Sequence, residues 1–238
     1  MKKEVKQFLK KAEKGIINFS YKENHREYHN QHHIKNMLTN FKRIQNKHNV
    51  FNEKEEFAII YAIIFHDANY IPGDKENEDK SAKFAVNVLR VNRKVINPML
   101  NIDNEEYKEI ESLVYKLIMS TQYPFTPSYY KEKFKLNERE YHCIKMMHDL
   151  DFLSLSTNYH QFIKRQKQTR KEYCNYHNKK DNEEFVKIQK NFMMKEILKK
   201  DENNKINNIY TTKYFINLNS KAISNILRFN QEEPKKLI

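Results

Sequence analysis

Apolar residues recur at helical spacing along most of the chain. Over residues 3–19, Val5, Phe8, Leu9, Ala12, Ile16 and Ile17 fall close to the 3.6-residue period of an amphipathic helix. Ile34, Met37, Leu38, Phe41 and Ile44 repeat the pattern over 30–46. Residues 53–66 differ: acids in the first turn lead into Phe57-Ala58-Ile59-Ile60-Tyr61-Ala62-Ile63-Ile64-Phe65. A helix apolar on nearly every face belongs in the middle of a domain. The β-branched run also fits a buried strand, but Ala58, Ala62 and the acidic lead-in favour helix. Ile71-Pro72-Gly73-Asp74 breaks the run, and Ala82, Ala85, Val86 and Leu89 set a further helix over 78–90. Residues 104–121 and 138–155 read as helices separated by a loop holding Pro124 and Pro127. A long polar pair of helices is expected over 158–200, a break at Asp201-Glu202-Asn203-Asn204, and a last helix near 217–230. Neither an internal repeat nor a linker is visible, so the expected organisation is a single all-α domain, a helical bundle spanning residues 1–238.

Composition removes several function classes. The only glycines, Gly15 and Gly73, lie far apart. Phosphate-binding loops, the dinucleotide fingerprint and the nucleophile elbow all need closely spaced glycines, so those readings fall. Cys143 and Cys174 are too few for a disulfide framework or a thiolate zinc site. Met1-Lys2-Lys3-Glu4-Val5-Lys6 has no apolar core after its lysines, so a secretory signal is not expected there. The stretch from Phe57 to Phe65 is too short to span a bilayer, and a soluble, cytoplasmic protein without membrane contact is expected. A net charge of +13 points to an anionic partner: phosphate, nucleotide or nucleic acid. The lysines are dispersed and accompany many Asn and Ile residues, which suits compositional bias better than a nucleic-acid footprint.

Candidate chemistry is concentrated in four segments. In Arg26-Glu27-Tyr28-His29-Asn30-Gln31-His32-His33-Ile34, His29 and His33 share a helix face at a metal-ligand spacing, or else mark a solvated helix start. His66-Asp67 ends the most apolar helix, where a charge is costly unless paired or metal-bound; the alternative is a helix terminus turned to water. Asn77-Glu78-Asp79-Lys80-Ser81-Ala82 opens the next helix, where acids ordinarily complement the dipole, and becomes functional only if the loop brings Glu78 back to His66 and Asp67. Met146-Met147-His148-Asp149-Leu150-Asp151 places two acids on different faces of an apolar stretch. One of them is expected to point inward and to require a cation.

Taken in order, His33, the His66-Asp67 pair and a late Asp resemble the HD superfamily of metal-dependent phosphohydrolases. The resemblance extends to its predicted metal-dependent HD phosphohydrolase family through Arg26-x-Tyr28-His29-x3-His33-Ile34, Phe65-His66-Asp67-Ala68-x-Tyr70, Asn77-Glu78-x2-Ser81-Ala82 and Asp149-x-Asp151. Arg170-Lys171-Glu172-Tyr173 and Ile209-Tyr210-Thr211-Thr212-x2-Phe215 carry it to about residue 230. It implies an HD-domain fold and one divalent ion held by His33, His66, Asp67 and Asp151, with Asp149 behind them or as the alternative ligand. Two imidazoles and two carboxylates suit Mn²⁺ or Mg²⁺, with Fe²⁺, Co²⁺, Ni²⁺ or Zn²⁺ also accommodated. The expected reaction is hydrolysis of a phosphate ester or anhydride in a small, nucleotide-like substrate by a metal-activated water. Asp67 and Glu78 are the expected catalytic carboxylates, and Arg26, His29 and Lys80 the expected phosphate grips. The chain departs from the pattern at Ile118-Met119-Ser120-Thr121-Gln122-Tyr123-Pro124, which lacks an expected histidine and puts a second metal or phosphate contact there in doubt. A scaffold that keeps metal without turnover, or a basic helical nucleic-acid-binding protein, are the competing readings; sequence-specific nucleic-acid binding is not expected. Oligomeric state is not legible.

Overall fold

The computed structural model describes residues 1–200 and 202–238, and among these it has eleven α-helices and no β-strand. They are α1 (Lys3–Phe19), α2 (Gln31–His48), α3 (Glu53–Phe65), α4 (Asn77–Val91), α5 (Arg93–Leu100), α6 (Asn104–Met119), α7 (Pro127–Lys133), α8 (Glu138–Asp151), α9 (Tyr159–Tyr176), α10 (Glu183–Phe192) and α11 (Asn219–Gln231). The expected all-α bundle is the fold found. One cluster of buried apolar side chains runs from Val5 to Leu237.

The apolar run forms α3, and every residue from Phe57 to Phe65 is buried. Its start is fixed by a capping box: Asn52 Oδ1 accepts from Glu55 N at 3.0 Å, and Glu55 Oε2 accepts from Asn52 N at 2.9 Å. Helices α1, α2, α4, α6 and α8 pack around it, which explains why no face is polar. Truncating Phe57 in such surroundings costs about 3–5 kcal/mol. At its other end, the Ile64 carbonyl accepts from Tyr21 Oη at 3.1 Å and the Ile63 carbonyl from His66 Nδ1 at 3.0 Å. Terminal carbonyls that the helix itself leaves open are thereby satisfied.

Two short helices are additions to the sequence expectation. α5 contains Pro98 and ends on Asn101 in the left-handed conformation, φ 54°. α7 begins with Pro127 at its first turn, where a missing N–H costs nothing, so the expected loop is partly helical. The helix expected over 138–155 stops at Asp151 and tightens into a 3₁₀ turn over Phe152–Ser156. The polar pair over 158–200 is α9 and α10, the latter ending in a π turn at Met193–Ile197. Asp201, part of the expected break, lies outside the described residues. No helix among the described residues is long and apolar enough to cross a membrane.

Candidate metal centre

Three helix ends meet at one end of the bundle. His33 sits in the first turn of α2, whose start is fixed by Asn30 Oδ1 accepting from His32 N at 2.8 Å. His66 and Asp67 follow the last residue of α3, and Asp151 is the last residue of α8. His33 Nε2 lies 3.0 Å from Asp151 Oδ1 and 4.0 Å from Asp67 Oδ2. His66 Nε2 lies 3.0 Å from Asp67 Oδ2 and 3.8 Å from Asp151 Oδ1. Ligand atoms of His33, His66 and Asp151 all lie within 4.8 Å of one another, a grouping that can hold a metal ion.

Two atoms in this cluster test the fit of a cation. His66 Nε2 and Asp67 Oδ2 are buried and meet no hydrogen-bond geometry, despite lying 3.0 Å apart. A buried ion pair without a directed hydrogen bond is poorly satisfied, and a cation would satisfy both atoms. His66 Nδ1 is already directed at the Ile63 carbonyl, which leaves the Nε2 lone pair facing the carboxylates, the usual support of a ligating imidazole. In the metal-free arrangement burial works against the His66 imidazolium, but the Asp67 carboxylate outweighs it and pushes the ring up to about 9. Burial likewise opposes ionisation of Asp67, and the facing imidazoles more than reverse it, holding that carboxyl well below the usual range. Asp151 is lowered in the same way, against burial, by His33 and His66. The donor set is therefore charged and converging.

Asp149 faces elsewhere. It is fully buried, with both oxygens accepting from the backbone: Thr211 N at 2.9 and 3.1 Å and Thr212 N at 2.7 Å. His148 Nδ1 is 3.2 Å from Oδ1. The sequence expects one inward acid needing a cation. Both acids point inward, and Asp149 is satisfied by backbone donors, tying α8 to the Ile209–Thr212 segment. Asp151, not Asp149, joins the histidines.

The cluster opens into a cavity of about 570 Å³ lined by His29, Asp67, Glu78 and Asp151 at its polar end. The loop after α3 does return Glu78 to this end. Burial is the main reason its carboxyl is pushed up to about 7, with Asp67 and Asp151 adding to the effect. His29 Nδ1 lies 2.6 Å from Glu172 Oε1. Burial opposes the His29 imidazolium, but Glu172 more than compensates and the ring is held above its ordinary value. Glu172, on α9, is fully buried and also accepts from Tyr28 N at 2.7 Å and His29 N at 3.0 Å. It is the site residue that sequence reasoning does not single out.

Two expected phosphate grips are placed differently. Arg26 is buried: Nη1 donates to the Asp67 carbonyl at 2.7 Å and the His29 carbonyl at 3.2 Å, and Nε to Glu23 Oε2 at 2.6 Å. It braces the backbone at His29 and Asp67 and does not line the cavity. Lys80 is exposed and turned to Asp74 at 2.8 Å and Glu76 at 3.2 Å, because acids one turn away on its own loop are nearer than the cavity. Thr121, in the departing segment, lines the cavity, with its hydroxyl donating to the Ile118 carbonyl at 2.8 Å.

No protein-family model matches the chain. No curated protein matches it either. Among solved structures, it is similar to the phosphodiesterase domain of Salpingoeca rosetta rhodopsin phosphodiesterase, with a TM-score of 0.67 at 13% identity over 95% of this chain and 82% of that one. A second structure, the phosphodiesterase domain of the RhoPDE fusion protein from the same choanoflagellate, gives 0.61 at 14% identity over 98% and 85%. At this identity the likeness is one of fold: the chain has the helical fold of these phosphodiesterase domains, in agreement with the HD-superfamily resemblance.

Proposed function

We propose that the protein is a metal-dependent phosphohydrolase that cleaves a phosphate ester or anhydride in a small, nucleotide-like substrate. The observation that carries this reading is the convergence of His33, His66 and Asp151 beside Asp67 at the end of a cavity, with His66 Nε2 and Asp67 Oδ2 buried, 3.0 Å apart and without hydrogen-bond geometry. The fold shared with phosphodiesterase domains supports it. These four side chains would hold one divalent ion; Mn²⁺ and Mg²⁺ suit the carboxylates, while the imidazoles also accommodate Fe²⁺, Co²⁺, Ni²⁺ or Zn²⁺. When bound, such an ion neutralises charge on the phosphoryl oxygens and acidifies water.

The chain's own residues then divide the proton transfers. Glu78, at the cavity wall with a carboxyl titrating near neutrality, takes a proton from the attacking water. His29, whose imidazolium Glu172 favours against burial, gives a proton from Nε2 to the leaving oxygen. Arg26 holds the His29 and Asp67 carbonyls to one guanidinium, and so fixes the donor against the ligands.

The test is a screen of purified protein against nucleoside mono-, di- and triphosphates, cyclic nucleotides and guanosine tetraphosphate, with metal content measured in parallel. Hydrolysis that disappears with a chelator and returns with a divalent ion supports the reading. Equal metal content in wild type and a His66→Ala, Asp67→Ala double variant would sink it.

A further inference from the structure

Charge balance inside the cavity bears on what it can hold. The chain has 44 lysines and arginines, yet among the described residues Arg170 alone of them lines this cavity. Its three guanidinium nitrogens are already engaged: Nε with Asp181 at 3.0 and 3.1 Å, Nη1 with Gln189 Oε1 at 2.7 Å, and Nη2 with the Leu237 carbonyl at 2.5 Å. The Asp181 carboxylate cancels its charge. Arg165 is close enough to act on Tyr28 but is not part of the wall. The His29 imidazolium is matched by Glu172, and a divalent ion would be matched by Asp67 and Asp151. Little positive charge is left over. Each phosphoryl group beyond the first would bring anionic oxygens into a wall without a cation for them, and uncompensated charge in a partly desolvated site is costly.

Much of the remaining wall is apolar, beside Ser154, Gln166, Thr169 and Gln189. Phe125, Phe152, Phe185, Ile188, Phe192 and Met193 line it. Phe125 holds a left-handed backbone, φ 55°, which strains a bulky residue, and its carbonyl accepts from His148 Nε2 at 3.1 Å. That conformation sets its ring 5.5 Å from Phe152 and 6.0 Å from Phe192. Phe192 is 40% and Ile188 56% exposed, an arrangement that costs solvation unless a ligand covers it.

We propose that the substrate is an ester with one phosphoryl group joined to an apolar, ring-bearing moiety, and that tri- and polyphosphates are rejected by a wall that offers no cation not already paired. The proposal rests on the phosphohydrolase reading, and it assigns Phe192 and Ile188 to substrate selection.

Equilibrium binding tests it independently of turnover. Calorimetry on the protein at excess Mg²⁺, using wild type and Glu78→Gln, would compare adenosine monophosphate, adenosine triphosphate and methyl phosphate. The monophosphate is expected to bind about tenfold or more tightly than either of the others, a difference of about 1.4 kcal/mol. Phe192→Ala should lose about tenfold for the nucleoside monophosphate and leave methyl phosphate unchanged, and Ile188→Lys should raise triphosphate affinity by a similar factor. Triphosphate binding as tight as monophosphate, or an Ile188→Lys variant with unaltered triphosphate affinity, would overturn the charge argument. Equal affinity for methyl phosphate and the nucleoside monophosphate would overturn the apolar half. Failure of the phosphohydrolase reading shows differently, as no metal-dependent cleavage of any ester, whatever the order of binding.

Discussion

Replacing Glu78 by Gln should stabilise the metal-free protein while crippling it. The folded chain holds the Glu78 carboxyl at about 7, against an ordinary value of 4.5, chiefly because burial disfavours its charge. A carboxyl raised on folding destabilises the native state where the unfolded chain would ionise it. The penalty is absent below 4.5, grows as pH rises, and is complete above about 7. Taken at face value it is on the order of 3 kcal/mol, and water in the cavity reduces it to roughly 1–2 kcal/mol. For a chain of this size that corresponds to about 2–8 °C in Tm. The assay is thermal unfolding of wild type and Glu78→Gln in a chelator at pH 5 and pH 8. The variant should be the more stable at pH 8 and close to wild type at pH 5. With a divalent ion supplied, its turnover should fall about 10²–10⁴-fold, because Gln cannot take the proton. The acid limb of the wild-type rate profile should lie between 4.5 and about 7, since a cation offsets the part due to Asp67 and Asp151. A variant with near-normal turnover that is less stable at both pH values would refute the reasoning. It would make Glu78 an acid at the start of α4 that complements the helix dipole, a role worth about 1 kcal/mol or less.

Three further outcomes are expected. Glu172→Gln should lower kcat more than it raises KM and move the basic limb of the rate profile to lower pH, because the carboxylate that raises His29 is gone; an unmoved limb would exclude His29 as the proton donor. Asp149→Asn should cost roughly 1–3 kcal/mol in denaturant unfolding, since it disturbs the backbone donors of Thr211 and Thr212, while metal content stays at the wild-type level; loss of metal would move the ligand role to Asp149. Nucleic-acid association should be weak and fall steeply with salt, as dispersed lysines give counterion release without base contacts; tight, sequence-selective binding at physiological salt would contradict this.

The positions of His33, His66, Asp67 and Asp151 are legible in the sequence because their order along the chain is itself a pattern. The central helix is legible because its run from Phe57 to Phe65 tolerates no solvated face. Direction is the part that sequence does not carry. Arg26 and Lys80 have the right charge for phosphate, but the first is spent on the carbonyls of His29 and Asp67 and the second on Asp74 and Glu76. Glu172 escapes notice because its partner His29 is 143 residues away and nothing local marks an acid on a polar helix as buried. Its one signal is the Arg170-Lys171-Glu172-Tyr173 motif, which the resemblance includes without a role. Helices α5 and α7, of 8 and 7 residues, are too short to show a period and owe their existence to packing.

On the proposed function, reaction and selection would rest on different parts of the bundle. His33, His66, Asp67 and Asp151 project from the ends of α2, α3 and α8, and α3 is enclosed by five other helices, so their geometry is set by the least deformable part of the core. The cavity's far wall comes instead from α9, α10 and the π turn that follows, where Ile188 and Phe192 stand half in solvent and the helices are otherwise rich in Lys and Asn. Substitution there alters contacts to the organic part of a substrate without moving His33 or Asp151. Under the proposed reading, a charge added to that wall would change which phosphates are admitted, whereas a charge removed at Glu172 would change how fast an admitted ester is cleaved. The two sets of residues are joined at His29, which faces the cavity while its imidazole is held from α9 by Glu172.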